Sequence, residues 1–110
     1  MSRDYKAYLM DIVESISKIK EYTKDVTREE FFRNKLLQDA VVRNLEIIGE
    51  AVKKIPAEIK NAKPDVEWRK FAGLRDILIH AYFGIDVEII WDVISHKICI
   101  LEKHIKDILL

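Results

Sequence analysis

The sequence predicts an all-α protein, an up-and-down bundle of four to five helices, on three observations. Apolar residues recur at steps of three and four along most of the chain. Only three Gly and two Pro punctuate 110 residues, which favours few and long elements. Helix-starting residues stand in front of the periodic stretches, Thr27-Arg28-Glu29-Glu30 before one and Asp86 before another. Strand alternation bounded by turn residues is absent, as are internal repeats and low-complexity segments.

The first helix is expected from Tyr5 over roughly 20 residues, about 30 Å at 1.5 Å per residue. Its stripe is Tyr5, Leu9, Ile12, Val13, Ile16, Ile19 and Tyr22, with Asp11, Glu14, Lys18, Lys20 and Glu21 opposite. Thr27 and Glu30 form a capping box, so a second helix starts near Arg28. Its apolar positions run from Phe31, Phe32, Leu36 and Leu37 to Val52 and Ile55, and no proline interrupts before Pro56. A single helix of about 28 residues, some 42 Å, is therefore expected. Gly49 within it points to a close approach by another helix. After Pro56, Ala57–Lys60 reads as one short further turn, and 61–65 as the linker. A third helix follows from Asp65 or Glu67 through about Ala81, with Trp68, Phe71, Leu74 and Leu78 inward. Phe83-Gly84-Ile85 breaks it, and Asp86 caps a fourth helix from Val87 to about Leu109 in which Trp91 is an expected anchor. The whole, residues 1–110, reads as one helical domain.

Bulk chemistry narrows the classes of function. Nineteen basic residues balance nineteen acidic ones, so attraction to nucleic acid must come from a local patch. One such patch is Lys60, Lys63, Arg69, Lys70 and Arg75, five cations against Asp65 and Glu67. No apolar run nears the roughly 18 residues of a membrane span, and residues 1–10 lack the basic start and apolar core of a secretion signal. The single Cys99 makes no internal disulfide and reads as a buried core thiol, in keeping with a reducing, cytoplasmic setting. His96 and Cys99 are i, i+3 and His104 lies eight beyond His96, with no fourth ligand, so no metal and no cofactor is expected. Gly-rich phosphate loops, Gly-x-Ser-x-Gly and acidic metal clusters are missing.

Chemistry concentrates in Arg75-Asp76-Ile77-Leu78-Ile79-His80-Ala81-Tyr82. Arginine offers a permanent cation whose fork of donors suits phosphate. Histidine exchanges a proton near neutral pH, and a tyrosine hydroxyl donates to phosphate or acts as a nucleophile if something activates it. Those types fit RNA cleavage: a histidine takes the ribose 2′-hydroxyl proton, and an arginine stabilises charge on the phosphoryl oxygens. Geometry restricts the idea. Five residues of helix separate Arg75 and His80 by about 140° and about 7.5 Å of rise. Both reach one phosphate only through the arginine's length, a helix that ends before His80, or a second copy of the motif. Asp76, four residues before His80, shares its face and is expected to orient the imidazole. Asp39, Arg43, Glu46 and Glu50, at i, i+4, i+7 and i+11, form either a polar wall facing the motif or a solvated, self-paired stripe.

The motif Arg75-x4-His80-x-Tyr82 resembles the signature of the HEPN superfamily, and more specifically its HepT toxin branch. Residues 42–51, 68–75 and 80–86 are similar to that branch as well, so nearly the whole chain is covered in order. The resemblance implies an α-helical homodimer in which two motifs meet in a cleft. It implies a metal-independent endoribonuclease with Arg75 and His80 as the catalytic pair, without fixing tRNA or mRNA as its target. It also implies a partner, an MNT-type minimal nucleotidyltransferase antitoxin of a type II/VII-like toxin–antitoxin system, which transfers AMP from ATP to Tyr82 and blocks the site. A different class of function stays open: a non-catalytic helical dimer that binds nucleotide or substrate for the nucleotidyltransferase.

Overall fold

A computed structural model describes residues 3–81 and 84–110. Among the described residues all regular structure is helical: α1 (Tyr5–Thr23), α2 (Arg28–Arg33), α3 (Lys35–Lys54), α4 (Ala57–Ala62), α5 (Trp68–Ile79), α6 (Val87–His96) and α7 (Ile98–Leu109). The central element is α3, which packs against α1 on one side and α5 on the other, while α1 also packs against α7. With α6 and α7 counted together, four long arms make the expected bundle.

The starts are where the caps place them. Thr27 and Glu30 exchange bonds in a complete capping box, and Asp86 accepts from the Glu88 backbone N–H at 3.0 Å. The long second helix, however, is two. Asn34 adopts extended backbone (φ −108°, ψ 91°) and serves both pieces: its N–H closes α2 on the Phe31 carbonyl, and its side chain accepts from the Leu37 N–H at 3.0 Å. The Gln38 amide then donates to the Phe31 and Phe32 carbonyls at 2.9 and 3.2 Å, satisfying the ends that the break exposes. An asparagine can stop a helix by bonding its own neighbours, and apolar spacing across it hides the stop. The last helix divides more lightly at Lys97, which remains in the right-handed helical region (φ −109°, ψ −39°). The third ends at Ile79 rather than Ala81.

The core is the predicted stripes brought together. Leu9, Ile12, Ile16 and Ile19 of α1, Val41, Leu45, Ile48 and Val52 of α3, Phe71 and Leu78 of α5, Ile90 of α6 and Leu101 and Ile105 of α7 are all buried. Trp91 anchors α6 as expected, its ring 5.3 Å from that of fully buried Phe31. Tyr22, expected on the inward stripe of α1, is exposed, and two further placements differ from expectation. Cys99 is exposed, because α7 buries Ile98, Leu101 and Ile105, and Cys99 lies about 100° around the helix from Ile98. Leu36, in the first turn of α3, is 81 % exposed.

Candidate active site

Gly49 decides where the site forms. A Cβ at this buried position would sit 2.2 Å from the Arg75 Cβ and 2.8 Å from the Phe71 carbonyl oxygen. Only glycine lets α5 lie that close to α3, and the contact sets the base of the Arg75 side chain against α3. From there the guanidinium reaches two carboxylates: its Nε lies 3.1 Å from Glu50 and a terminal nitrogen 3.0 Å from Asp76. Asp76 is bound in turn by Lys53 of α3, at 2.5 Å. Lys53 first, and then Arg75, hold the Asp76 carboxyl below the usual carboxylate range.

That shift fixes a sign. A carboxyl depressed in the folded state contributes stability above its unfolded pKa, about 3.9, and loses it as pH falls through the folded value. Comparing Asp76→Asn with wild type by thermal melts, the gap in Tm is expected to be constant from pH 7 to 5. Below about pH 4 it should narrow. A gap that widens on acidification contradicts the assignment.

His80 is the residue after α5, and its conformation (φ −106°, ψ 12°) ends the helix. Its backbone N–H turns to the Leu78 carbonyl, and its Nδ1 lies 2.8 Å from the Asp76 carbonyl oxygen. The imidazole thus takes the carbonyl that a continuing helix would give to the backbone. A carbonyl only accepts, so Nδ1 carries the hydrogen in this bond and Nε2 of the neutral ring keeps a lone pair directed elsewhere. The expectation that the Asp76 side chain orients His80 is corrected here. The carboxylate serves Lys53 and Arg75, and the Asp76 backbone orients the ring.

Beside these residues lies a cleft of about 280 Å3 between α1, α3 and α5, lined in part by Arg43, Glu46, Glu50, Arg75 and Ile79. Three members of the predicted polar wall therefore share a cleft with Arg75. Asp39 does not. It borders a separate cavity of about 140 Å3 with Gly84 and Ile85. His80, exposed and next in sequence to Ile79, is not itself among the residues that line the cleft. Tyr82 lies outside the described residues. The rest of the lining was not read as part of a site: Arg3, Tyr8 and Asp11 come from α1 and the residues before it, and Lys54 from the end of α3. Periodicity assigned Asp11 to a solvent face, and Lys53 carries no sign in sequence that it meets a residue 23 positions on. Among the described residues no three His, Cys, Asp or Glu side chains group in a way that could hold a metal ion. No helix there is long and apolar enough to cross a membrane.

The fold is a small helical domain in which Arg75, on the last turns of α5, lines a cleft and His80 caps the same helix five residues on. The chain belongs to the HepT-like ribonuclease family, whose model, "Ribonuclease HepT-like", matches residues 12–108. A Thermococcus cleftensis protein named "Probable ribonuclease HepT" is 48% identical over 98 residues, covering 89% of each chain. A Methanocaldococcus jannaschii protein named "Putative RNase MJ0127" is 47% identical over 107 residues, covering 97% of this chain and 88% of that one. Another from that organism, "Gamma-glutamylcyclotransferase and putative RNase MJ0434", is 48% identical over 109 residues, and this chain spans 49% of its length. No solved structure matches the chain.

Proposed function

We propose that the protein is a metal-independent endoribonuclease, the toxin of a toxin–antitoxin pair, with Arg75 and His80 as its catalytic residues. The observation that carries this reading is the ending of α5. It terminates before His80, one of the three ways in which both residues could act on one phosphate, and bonds the ring so that Nε2 is the free base. Family membership and the relatives' names as RNases support the same activity. In the step, Nε2 takes the proton of a ribose 2′-hydroxyl and the 2′-oxygen attacks the adjacent phosphorus. The bond to the 5′-oxygen breaks, that oxygen takes a proton from solvent water, and the His80 imidazolium returns its proton to solvent. The products are a 2′,3′-cyclic phosphate and a 5′-hydroxyl end. Arg75 meets the charge on the non-bridging oxygens. Incubating the purified protein with single-stranded RNA in EDTA is expected to yield these ends; intact RNA, or cleavage that needs added metal, overturns the proposal.

Two further parts belong to this reading. A homodimer is supported by an apolar groove between α5 and α6, where Ile77 is 67 % and Ile89 is 51 % exposed. Control by a nucleotidyltransferase antitoxin is supported by the place of Tyr82 in the motif, two residues past His80. Attack of the phenol oxygen on the α-phosphorus of ATP would release pyrophosphate and leave AMP beside the base, adding bulk and negative charge where substrate phosphate must sit. With the partner and ATP, wild type is expected to gain the mass of one AMP and lose cleavage, whereas Tyr82→Phe gains none and stays active. Equal labelling of Tyr82→Phe places the modification elsewhere.

A further inference from the structure

The cleft holds more than catalysis requires. Across from Arg75, the ring of half-buried Tyr8 forms part of its wall, and the Arg3 guanidinium lies over that ring, 4.6 Å from its centre. Arg3 is held there by Asp11 at 2.7 Å. Along α3, Arg43 and Lys54 also line the cleft, and neither forms an ion pair among the described residues. Glu50, the residue that pairs with Arg75, lies between them in sequence. At 1.5 Å per residue, Arg43 is about 10 Å to one side of it along the helix and Lys54 about 6 Å to the other. The cleft therefore has a row of three cations with the reactive one in the middle, and an aromatic face alongside.

A groove that pairs a cationic track with an aromatic platform is how single-stranded nucleic acid is held without base-specific hydrogen bonds. A double helix is contacted over many base pairs, further than a cleft of about 280 Å3 reaches. We propose that Tyr8, with Arg3 over its face, is the stacking site for the base next to the scissile phosphate, and that Arg43 and Lys54 hold the flanking phosphates of a single-stranded RNA. The base either slides between the ring and the guanidinium or displaces Arg3 and takes its place. The carboxylates of the cleft do not forbid this. Asp11 and Glu50 are already neutralised by Arg3 and Arg75, which among the described residues leaves Glu46 as the one uncompensated anion of the cleft against Arg43 and Lys54.

This inference rests on the ribonuclease reading for the word scissile, but its test does not depend on cleavage. A short RNA with a 2′-O-methyl at every position cannot be cut by 2′-hydroxyl attack. With 2-aminopurine in it, stacking quenches the fluorescence. Wild type is expected to bind and quench it; Tyr8→Phe should keep both, and Tyr8→Leu, which retains an apolar side chain on α1, should lose the quench and bind on the order of tenfold more weakly. Arg43→Ala and Lys54→Ala should each weaken binding while leaving the quench at saturation intact. Circular dichroism checks that each variant folds. Quenching by Tyr8→Leu equal to wild type, or failure of wild type to bind, overturns the proposal. Tyr8-dependent binding by a wild type that cuts no RNA upholds the stacking site and sinks the nuclease reading. Cleavage indifferent to Tyr8 does the reverse.

Discussion

His80→Ala is expected to abolish RNA cleavage while leaving the bundle folded. His80 is exposed and contributes one ring hydrogen bond at a helix end, so its removal costs little packing. Catalysis loses its base, a loss of about 10²–10⁴-fold for a positioned proton acceptor. His80→Asn separates two roles: its amide can still donate to the Asp76 carbonyl but cannot take a proton near neutral pH. Both variants should therefore melt close to wild type, with neither cutting RNA in EDTA. Arg75→Ala should also be inactive, and Arg75→Lys only partly restored, because an ammonium keeps the charge without the fork. Undiminished cleavage by purified His80→Ala removes the mechanism outright.

Gly49→Ala should be nearly as damaging, and for a different reason. The added methyl meets the Arg75 Cβ at 2.2 Å and the Phe71 carbonyl at 2.8 Å, and both belong to the framework of α5. Carbon atoms pack at about 3.5–4.0 Å, so the helices must separate by more than an ångström. Overpacking of this kind costs about 1–3 kcal/mol, or a fall in Tm of several degrees for a chain of this size. Activity should fall further than stability, since the same shift moves the root of Arg75, and about 1 Å of misplacement can cost about 100-fold. A thermal melt and a cleavage rate on the same preparation test both halves. A variant with wild-type Tm and wild-type rate shows that the helices tolerate the methyl and that this close approach does not position the site.

Much of this was legible in sequence because it is local. Capping residues, apolar periodicity and the Pro56 break act within a few residues, so α1 and the starts of α2 and α6 stand where the pattern places them. Gly49 marked a close approach without naming its partner, which turned out to be the helix that carries Arg75. The misses have the opposite character. Asn34 divides a helix whose stripe continues across the break, so apolar periodicity there reports the burial of both pieces rather than the continuity of one. The Lys53–Asp76 bridge and the Tyr8 wall join residues far apart in sequence, and spacing cannot reveal what two helices bring together. Asp76 shows a subtler limit. Its position four before His80 did pick out a true neighbour, but the bond is made by the one part of Asp76 that residue identity does not determine.

The pairing of Arg75 with Glu50 and Asp76 also bears on what it means for a ligand to bind. A free surface cation trades small counterions for phosphate, and the released ions make affinity fall with added salt. Arg43 and Lys54, without an ion pair among the described residues, can trade in this way, but Arg75 begins committed to carboxylates of its own chain. A phosphate reaches it by displacement, sending Glu50 back to water, and that exchange liberates no ion. The cleft thus brings its own competitor, and only a group charged and placed well enough to outbid a tethered carboxylate gains Arg75.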